Sequence, residues 1–223
     1  MTRLNKHIAR ILGISRREAD VLIDEGKVTV DGEVAKLGQQ PNDHAAIVVD
    51  GEQIATSSTA QYIALNKPVG YVCSRKQQGE SPTIYSLLPP ELQQLKTVGR
   101  LDRDSSGIIL LTNDGDFSHS MTHPSFSKVK IYEVELDKTL EPLHQQMISD
   151  HGIQLEDGVS KFLIEKLDTK GYRITMKEGR NRQIRRTFGS LGYTVTKLHR
   201  IQFGNFHLDD LQLKPKEFCK IEL

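Results

Sequence analysis

The chain has 223 residues, a length that accommodates one large domain or a small domain and a medium-sized one. Its hydrophobic share of 37% and charged share of 26% are typical of a globular protein and argue against a disordered chain. Two cysteines without metal-type spacing argue against a disulfide scaffold. Residues 1–6 lack the apolar run of a signal peptide and no later run approaches membrane-spanning length, so we expect a cytoplasmic protein that contacts no membrane.

Residues 1–55 predict a small domain in which two helices precede a small sheet. Ser15 and Glu18 have the spacing of a capping box at the start of the second helix. The dipeptide Asp31-Gly32 between two alternating segments predicts a tight hairpin. The predicted elements are helices at 2–12 and 16–25 and strands at 27–30, 33–35 and 46–49.

The formal net charge of +1 conceals an uneven distribution of charge. Residues 1–17 hold five basic side chains and no acidic one, whereas residues 18–60 hold two basic side chains against nine acidic ones. A basic cluster neutralises phosphates and favours a nucleic-acid partner, although a solvated basic face is the simpler alternative for one cluster alone. The five basic residues are Arg3, Lys6, Arg10, Arg16 and Arg17.

A small, polar stretch at 56–60 predicts a linker, which assigns residues 61–223 to a second and larger domain. This domain has many short strands and few helices, so the fold class is α+β. The predicted elements are strands at 61–65, 108–111, 130–136, 161–166 and 172–176, and helices at 90–96, 140–149 and 181–191.

The loop at residues 99–107 is bracketed by glycines and carries two carboxylates, Asp102 and Asp104. The apolar run at 108–111 predicts a buried strand, and a loop held by such a strand is a common way to display a reactive acid. Asp102 is therefore the first catalytic candidate. Either aspartate could instead bind loop amides in an Asx turn, which is the more frequent role of a loop aspartate.

A second basic cluster lies at residues 170–200, which contain nine basic side chains and a single acidic one, Glu178. The helix at 181–191 would present part of this charge as a basic face, and two such clusters in one chain raise the case for a nucleic-acid partner. The nine residues are Lys170, Arg173, Lys177, Arg180, Arg182, Arg185, Arg186, Lys197 and Arg200.

Several motifs in order along the chain now identify a family. Residues 3–51 resemble the small S4 RNA-binding domain, through Arg3-Leu4-Asn5-Lys6, Ser15-Arg16-Arg17-Glu18-Ala19 and Gly26-Lys27-Val28-Thr29-Val30-Asp31-Gly32. The larger domain resembles the bacterial ribosomal pseudouridine synthases of the RsuA/RluB/RluF type. Its matching segments are Leu65-Asn66-Lys67-Pro68-Val69-Gly70-Tyr71, residues 99–115, Lys130-Ile131-Tyr132-Glu133-Val134, and residues 178–186.

This resemblance implies the isomerisation of a uridine within ribosomal RNA, without a redox cofactor or a metal. Asp102 matches the family's nucleophilic aspartate, and Tyr132 matches its active-site tyrosine, which can stack on the uracil and assist proton removal. Arg185 matches the arginine that would pair with the aspartate and keep it ionised. Without the motifs, Tyr132 would be read as a core residue and Arg185 as a solvated one.

RNA contacts beyond the catalytic residues are also expected. We expect Lys67 to have a mainly architectural role and also allow it a contact with phosphate. Arg100 and Arg103 flank the nucleophile and are expected to bind the RNA backbone. The target base must leave its stack, so phosphate contacts from the basic residues of the small domain would help to hold the RNA. The predicted RNA-binding set is Arg3, Lys6, Arg10, Arg16, Arg17, Lys67, Arg100, Arg103, Arg180 and Arg182.

A noncatalytic RNA-binding factor in ribosome assembly is the main alternative, but it predicts loss of Asp102 or Arg185, and both are present. The segments at 155–158 and 180–183 slightly favour 23S over 16S ribosomal RNA as substrate. We expect a monomer that acts on ribosomal RNA or on an assembly intermediate. His119 and His123 have helical spacing but no third ligand, so we predict no metal site there.

Overall fold

The computed structural model describes residues 2–42, 44–55 and 59–223, and these form two compact units. The smaller unit contains Met1–Gln61 with Asn113–Gly115, and the larger unit contains Tyr62–Thr112 with Asp116–Leu223. The predicted linker at 56–60 includes residues 56–58, which lie outside the described residues, so the linker stays a prediction. In the described part of the chain, no helix combines the length and apolarity needed to cross a membrane.

The smaller unit packs two helices on a four-stranded antiparallel sheet. Buried side chains from both helices and the sheet form one core, which includes Leu4, Ile8, Ile23 and Val28. The elements are α1 (Leu4–Ile11), α2 (Arg16–Asp24), β1 (Val28–Val30), β2 (Glu33–Val34), β3 (Ile47–Val49) and β4 (Glu52–Gln53), with strand order β2-β1-β3-β4.

Both local signals of this unit are confirmed. The Ser15 hydroxyl oxygen accepts a hydrogen bond from the Glu18 amide at 3.1 Å, and the Glu18 carboxylate accepts one from the Ser15 amide at 2.6 Å. Asp31 and Gly32 have φ of 52° and 87°, the left-handed values that a two-residue hairpin turn requires. Capping and turn chemistry therefore set the boundaries of α2 and of the first hairpin.

The larger unit contains a nine-stranded, mainly antiparallel sheet, which confirms the α+β class. Its strands are β5 (Tyr62–Lys67), β6 (Lys96–Val98), β7 (Ser106–Thr112), β8 (Lys130–Leu136), β11 (Leu163–Lys166), β12 (Gly171–Met176), β13 (Val195–Phe203), β14 (Phe206–His207) and β15 (Phe218–Lys220). A separate hairpin is formed by β9 (Ile153–Leu155) and β10 (Gly158–Ser160). The strand order is β11-β12-β8-β13-β7-β5-β15, with β6 on β7 and β14 on β13.

The helices of the larger unit are shorter than predicted. The predicted helix at 90–96 is wrong, because a single 3₁₀ turn at Pro90–Leu92 is followed by β6, which pairs with β7. The predicted helix at 140–149 is α helical only over Pro142–Gln146 and continues as a π turn over Met147–His151. The helices are α3 (Gly115–Thr122), α4 (Pro142–Gln146), α5 (Gln183–Ser190) and α6 (Leu208–Leu211), with further 3₁₀ turns at Ile84–Leu87 and Pro124–Phe126.

Strand β13 lies in the middle of the sheet and was not predicted. It pairs antiparallel with β8 and parallel with β7, so it joins the strand that carries Tyr132 to the strand that follows the 99–107 loop. The register of β13 on β8 shifts twice, between Val195 and Lys197 and between Arg200 and Gln202. These irregularities break the period-two alternation by which a strand is recognised in a sequence.

Candidate active site

The loop at 99–107 ends in a rigid part of the sheet. Residues 108–111 of β7 are completely buried, as predicted from their apolar run. Gly107 has φ of 110°, and a Cβ atom at this position would lie 2.1 Å from the carbonyl oxygen of Arg200 on β13. Glycine is therefore required where the loop enters β7, because the backbone of β13 approaches too closely for any side chain.

Lys67, at the end of β5, holds the loop from its buried side. Its side chain is fully buried, and its Nζ donates hydrogen bonds to the carbonyl oxygens of Pro68 at 3.0 Å, Asp102 at 3.0 Å and Ser105 at 2.6 Å. Burial lowers the pKa of Lys67 to about 8, although nearby acidic groups including Asp102 oppose this shift. The ammonium thus fixes the backbone on both sides of Asp104.

This position corrects the prediction that Lys67 binds RNA. Lys67 is fully buried and all three ammonium donors already have carbonyl partners, so it has no donor left for a phosphate. The architectural interpretation of Lys67 fits these contacts, and nearby the Gly70 amide donates to the carbonyl oxygen of Arg103 at 2.8 Å. The two residues together order the loop that presents Asp102.

Asp102 faces a cleft of about 490 Å³ in the larger unit. Basic residues outnumber acidic ones in its lining, since only Asp102 and Glu178 oppose seven cations. Such a surface attracts an anionic polymer. The seven basic residues are Arg100, Lys128, Lys130, Lys177, Arg180, Arg182 and Arg200.

Tyr132 lies in the same cleft, on β8. Its ring packs in the hydrophobic core of the larger unit and only 7% of the residue is exposed. Its direct neighbour across the sheet is Arg200 on β13, so the two side chains share a face. The structure therefore brings Asp102 and Tyr132, which are distant in sequence, to one cleft.

The cation nearest to the Asp102 carboxylate is not the one predicted. Arg182 Nη1 lies 3.5 Å from Asp102 Oδ2 and 3.7 Å from Asp104 Oδ2. Arg182 has left-handed backbone angles at the start of α5, which direct it out of the helix. Both members of the Asp102 pair are about one-third exposed or more, so the pair contributes only about 0–1 kcal/mol and can exchange partners.

Arg185, the predicted partner of Asp102, binds the loop backbone instead. Its Nη2 donates to the carbonyl oxygen of Asp104 at 2.9 Å, and its Nη1 donates to that of Val195 at 2.8 Å. Among the described residues, Arg182 and not Arg185 is within ion-pair distance of Asp102. Burial lowers the pKa of Arg185, and the charge of Arg182 adds to this effect. The structure therefore differs from the predicted pairing of Arg185 with Asp102.

Arg180 also differs from its predicted role. One terminal nitrogen donates to the Asp157 backbone and carboxylate and to the carbonyl of Gly158, and the other donates to the carbonyl of Val159 and to Glu178. Although Arg180 lines the cleft, its guanidinium is occupied by the β9–β10 turn. Both terminal nitrogens of Arg180 already have acceptors within the protein, which supports a structural role in place of the predicted RNA contact.

The other predicted RNA-binding residues keep accessible side chains. Arg100 is exposed at the cleft, while Arg103 is exposed beside it and forms a 3.3 Å ion pair with Asp104. In the smaller unit, Lys6 is partly buried and the remaining basic side chains of the set are exposed. These are Arg3, Arg10, Arg16 and Arg17.

Two residues of the cleft were missed as candidates, Lys130 and Arg200. Lys130 precedes Tyr132 by two positions on a predicted strand, and this spacing alone places it on the same face. Arg200 was counted only as part of a basic cluster, because the strand that carries it was not predicted. The described residues contain no group of three metal-ligating side chains, and His119 and His123 instead pack together with Phe126.

Comparison with known families assigns both units. Residues 61–190 match the family described as RNA pseudouridylate synthase, and residues 2–54 match the S4 domain. A crystal structure of a pseudouridylate synthase aligns with a TM-score of 0.71 at 33% identity, covering 100% of this chain and 96% of the other.

Similar relatives carry two kinds of name. The ribosomal small subunit pseudouridine synthase A of Pasteurella multocida is 38% identical over 93% of this chain and 91% of its own length. The ribosomal large subunit pseudouridine synthase B of Pseudomonas aeruginosa is 37% identical over 91% of this chain. The aligned region covers 55% of that second relative, so this chain spans about half of its length.

Proposed function

Because this chain belongs to the RNA pseudouridylate synthase family, we propose that it isomerises uridine to pseudouridine in ribosomal RNA, with Asp102 as the nucleophile. The observation that carries the proposal is the meeting of Asp102, Tyr132 and Arg182 at one basic cleft. A carboxylate on an ordered loop, an aromatic ring and a cation are the groups that this chemistry needs.

The reaction rearranges bonds without adding or removing atoms. An Asp102 carboxylate oxygen bonds to ribose C1′ as the bond from C1′ to N1 breaks, and uracil leaves with that electron pair. After the base turns, its C5 attacks C1′ and releases the carboxylate. The C5 proton is then lost and N1 gains one, so the product is an isomer of the substrate.

The cleft residues divide these tasks. Arg182 stabilises the ionised Asp102 that the first step requires, while Arg185 acts as a positioning residue because it binds the loop backbone at Asp104. Tyr132 lines the cleft, and in this proposal its ring stacks on the uracil and its hydroxyl assists proton removal from C5. Extruding the base costs a few kcal/mol, which RNA contacts elsewhere must offset.

The small domain supplies those contacts in our proposal. Its exposed arginines, Arg3, Arg10, Arg16 and Arg17, lie on or next to α1 and α2, within residues 1–17, a segment that contains no acidic side chain. We assign ribosomal RNA, free or in an assembly intermediate, as the partner, and residues 1–55 as its docking domain. We propose that the protein acts as a monomer.

The choice between the two ribosomal subunits rests on experiment. The segments that slightly favoured 23S RNA contain Asp157 and Arg180, and these two residues bind each other. A mutual contact accounts for their presence without any reference to RNA. We therefore propose ribosomal RNA as the substrate and treat 16S and 23S as the two outcomes to be separated.

The test uses purified protein and unmodified transcripts of 16S and 23S RNA, followed by mapping of pseudouridine at nucleotide resolution. We expect modification at a defined uridine in one transcript. Binding of either RNA without modification would instead support the noncatalytic assembly factor. Modification scattered over many uridines would contradict a site-specific enzyme.

A further inference from the structure

Two cations of the cleft have no part in the chemistry described above. Lys130 and Tyr132 lie two residues apart on β8, and their partners across the sheet are Phe203 and Arg200 on β13. All four residues line the cleft. The side chains of Lys130 and Arg200 therefore flank the position assigned to the uracil.

Arg200 is a buried cation with an unused donor. The residue is only 3% exposed, and its Nε donates to the carbonyl oxygen of Ile108 at 2.9 Å. Its guanidinium carbon lies 4.6 Å from the ring centre of Phe203. Its Nη2 is buried and has no hydrogen-bond partner among the described residues. A buried charged donor without an acceptor is costly, and a ligand oxygen bound at this position would remove that cost.

Lys130 adds a second charge beside Arg200. Its Nζ lies 5.6 Å from the ring centre of Phe203 and donates to the backbone carbonyl of Glu178 at 3.3 Å. Burial lowers the pKa of Lys130, and the charge of Arg200 lowers it further, whereas Glu178 opposes the shift. The Glu178 carboxylate itself binds Gln183 and Arg180.

Neither cation has a carboxylate partner within the described residues at ion-pair distance. The other acid of the cleft, Asp102, is already beside Arg182. Two like charges at a common aromatic ring favour an anionic ligand, and the base of the bound uridine is neutral until its bond to C1′ breaks. The anion that RNA always brings is the phosphodiester, whose oxygens suit the planar donors of a guanidinium.

We propose that Arg200 and Lys130 form a subsite for a phosphodiester group adjacent to the target uridine. This inference rests on the proposed function and adds the part of the substrate that these residues recognise. By binding that phosphate, the subsite would hold the extruded nucleotide with its base against Tyr132 and its ribose toward Asp102.

The test is a binding cycle on a synthetic RNA fragment around the mapped uridine. One of the two phosphates flanking the uridine is replaced by a neutral methylphosphonate, each in turn, and affinity is measured in an Asp102→Asn background. We expect one replacement to weaken binding about 10- to 100-fold, the range for a hydrogen bond to a charged group. In Arg200→Gln, the same replacement should change affinity by no more than about twofold.

Lys130→Gln provides a second variant, because the buried Arg200 also binds the backbone and its loss could unfold the protein. Lys197→Gln is the matched control, since Lys197 is exposed on the same strand and lies outside the cleft lining. It should leave the effect of the methylphosphonate unchanged. Thermal unfolding of each variant establishes that the comparison is made on folded protein.

Three results would overturn the inference. The replacement and the Arg200→Gln and Lys130→Gln substitutions could each weaken binding by independent, multiplying factors. Alternatively, these substitutions could lower turnover while leaving RNA affinity intact, which would place the charges against the leaving base. Finally, if the unaltered protein forms no pseudouridine in ribosomal RNA, free or in an assembly intermediate, then no target uridine is mapped, and the proposed function and this inference fail together.

Discussion

Lys67 Nζ lies 3.0 Å from the backbone carbonyl oxygen of Asp102, so a buried ammonium orders the loop of the proposed nucleophile. Lys67→Met removes three donors from loop carbonyls while keeping a side chain of similar length. We expect turnover to fall about 100-fold, because a displacement of the nucleophile by about 1 Å is enough to slow a reaction by this factor. RNA affinity should stay within about twofold, since Lys67 has no exposed surface. A loss of RNA affinity, together with a smaller slope of log affinity against log salt, would instead show that Lys67 contacts RNA.

The same lysine couples stability to pH. Its pKa is about 8 in the folded protein and near the ordinary 10.5 in the unfolded chain. Between these values the unfolded chain binds a proton that the folded protein does not, so Lys67 makes unfolding less favourable as pH rises. This contribution is constant below about pH 8 and increases above it by at most about 1.4 kcal/mol per pH unit. Urea unfolding of wild type and Lys67→Met from pH 7 to 10 should diverge above pH 8, and parallel curves would contradict the shifted pKa.

Arg182 and Arg185 should respond differently to lysine. Arg182 acts as an exposed point charge near Asp102, so Arg182→Lys should retain turnover within about fivefold. Arg185 contacts two backbone carbonyls through two separate nitrogens of a planar guanidinium, and a lysine at this position has a single donor nitrogen. Arg185→Lys should therefore lower turnover about tenfold or more and reduce the free energy of unfolding by about 1–2 kcal/mol. Kinetics and thermal unfolding of the two variants check this order. The reverse order would restore Arg185 as the partner of the carboxylate.

The smaller unit should contribute salt-dependent binding. Replacing exposed Arg10, Arg16 and Arg17 by glutamine should weaken RNA binding and reduce the slope of log affinity against log salt by up to about 2. The exposed Lys36 of the same unit, replaced by glutamine, is the control and should change neither quantity. An unchanged slope in the triple variant would remove this face from RNA docking.

Local signals predicted the parts of the fold that depend on few residues. The capping box at Ser15, the hairpin at Asp31-Gly32 and the buried strand after the 99–107 loop all have strong short-range causes. The motif resemblance to the pseudouridine synthases is confirmed at the level of the family. Asp102 and Tyr132 line one cleft, and the catalytic roles that the motif resemblance implies for them stay predictions.

The features that the sequence pattern did not predict depend on contacts between residues far apart in the chain. Because β13 shifts its register twice, its sequence lacks a regular alternation and the strand was not predicted. The position of Arg200 beside Tyr132 was therefore not predicted either. A basic residue also looks the same in sequence whether its donors meet phosphate or backbone. Only the fold shows that Arg180 binds the β9–β10 turn and that Lys67 is buried below the loop.

The central claim is that Asp102 is the nucleophile and that Asp104, two residues away, is not. The most direct measurement is pseudouridine formation by Asp102→Asn and Asp104→Asn in the mapped ribosomal RNA, with RNA affinity determined for both. We expect Asp102→Asn to form no product above background while its affinity stays within about threefold, because it removes the nucleophile and no phosphate contact. Asp104→Asn should retain turnover. Product formation by Asp102→Asn at the wild-type rate would contradict this account.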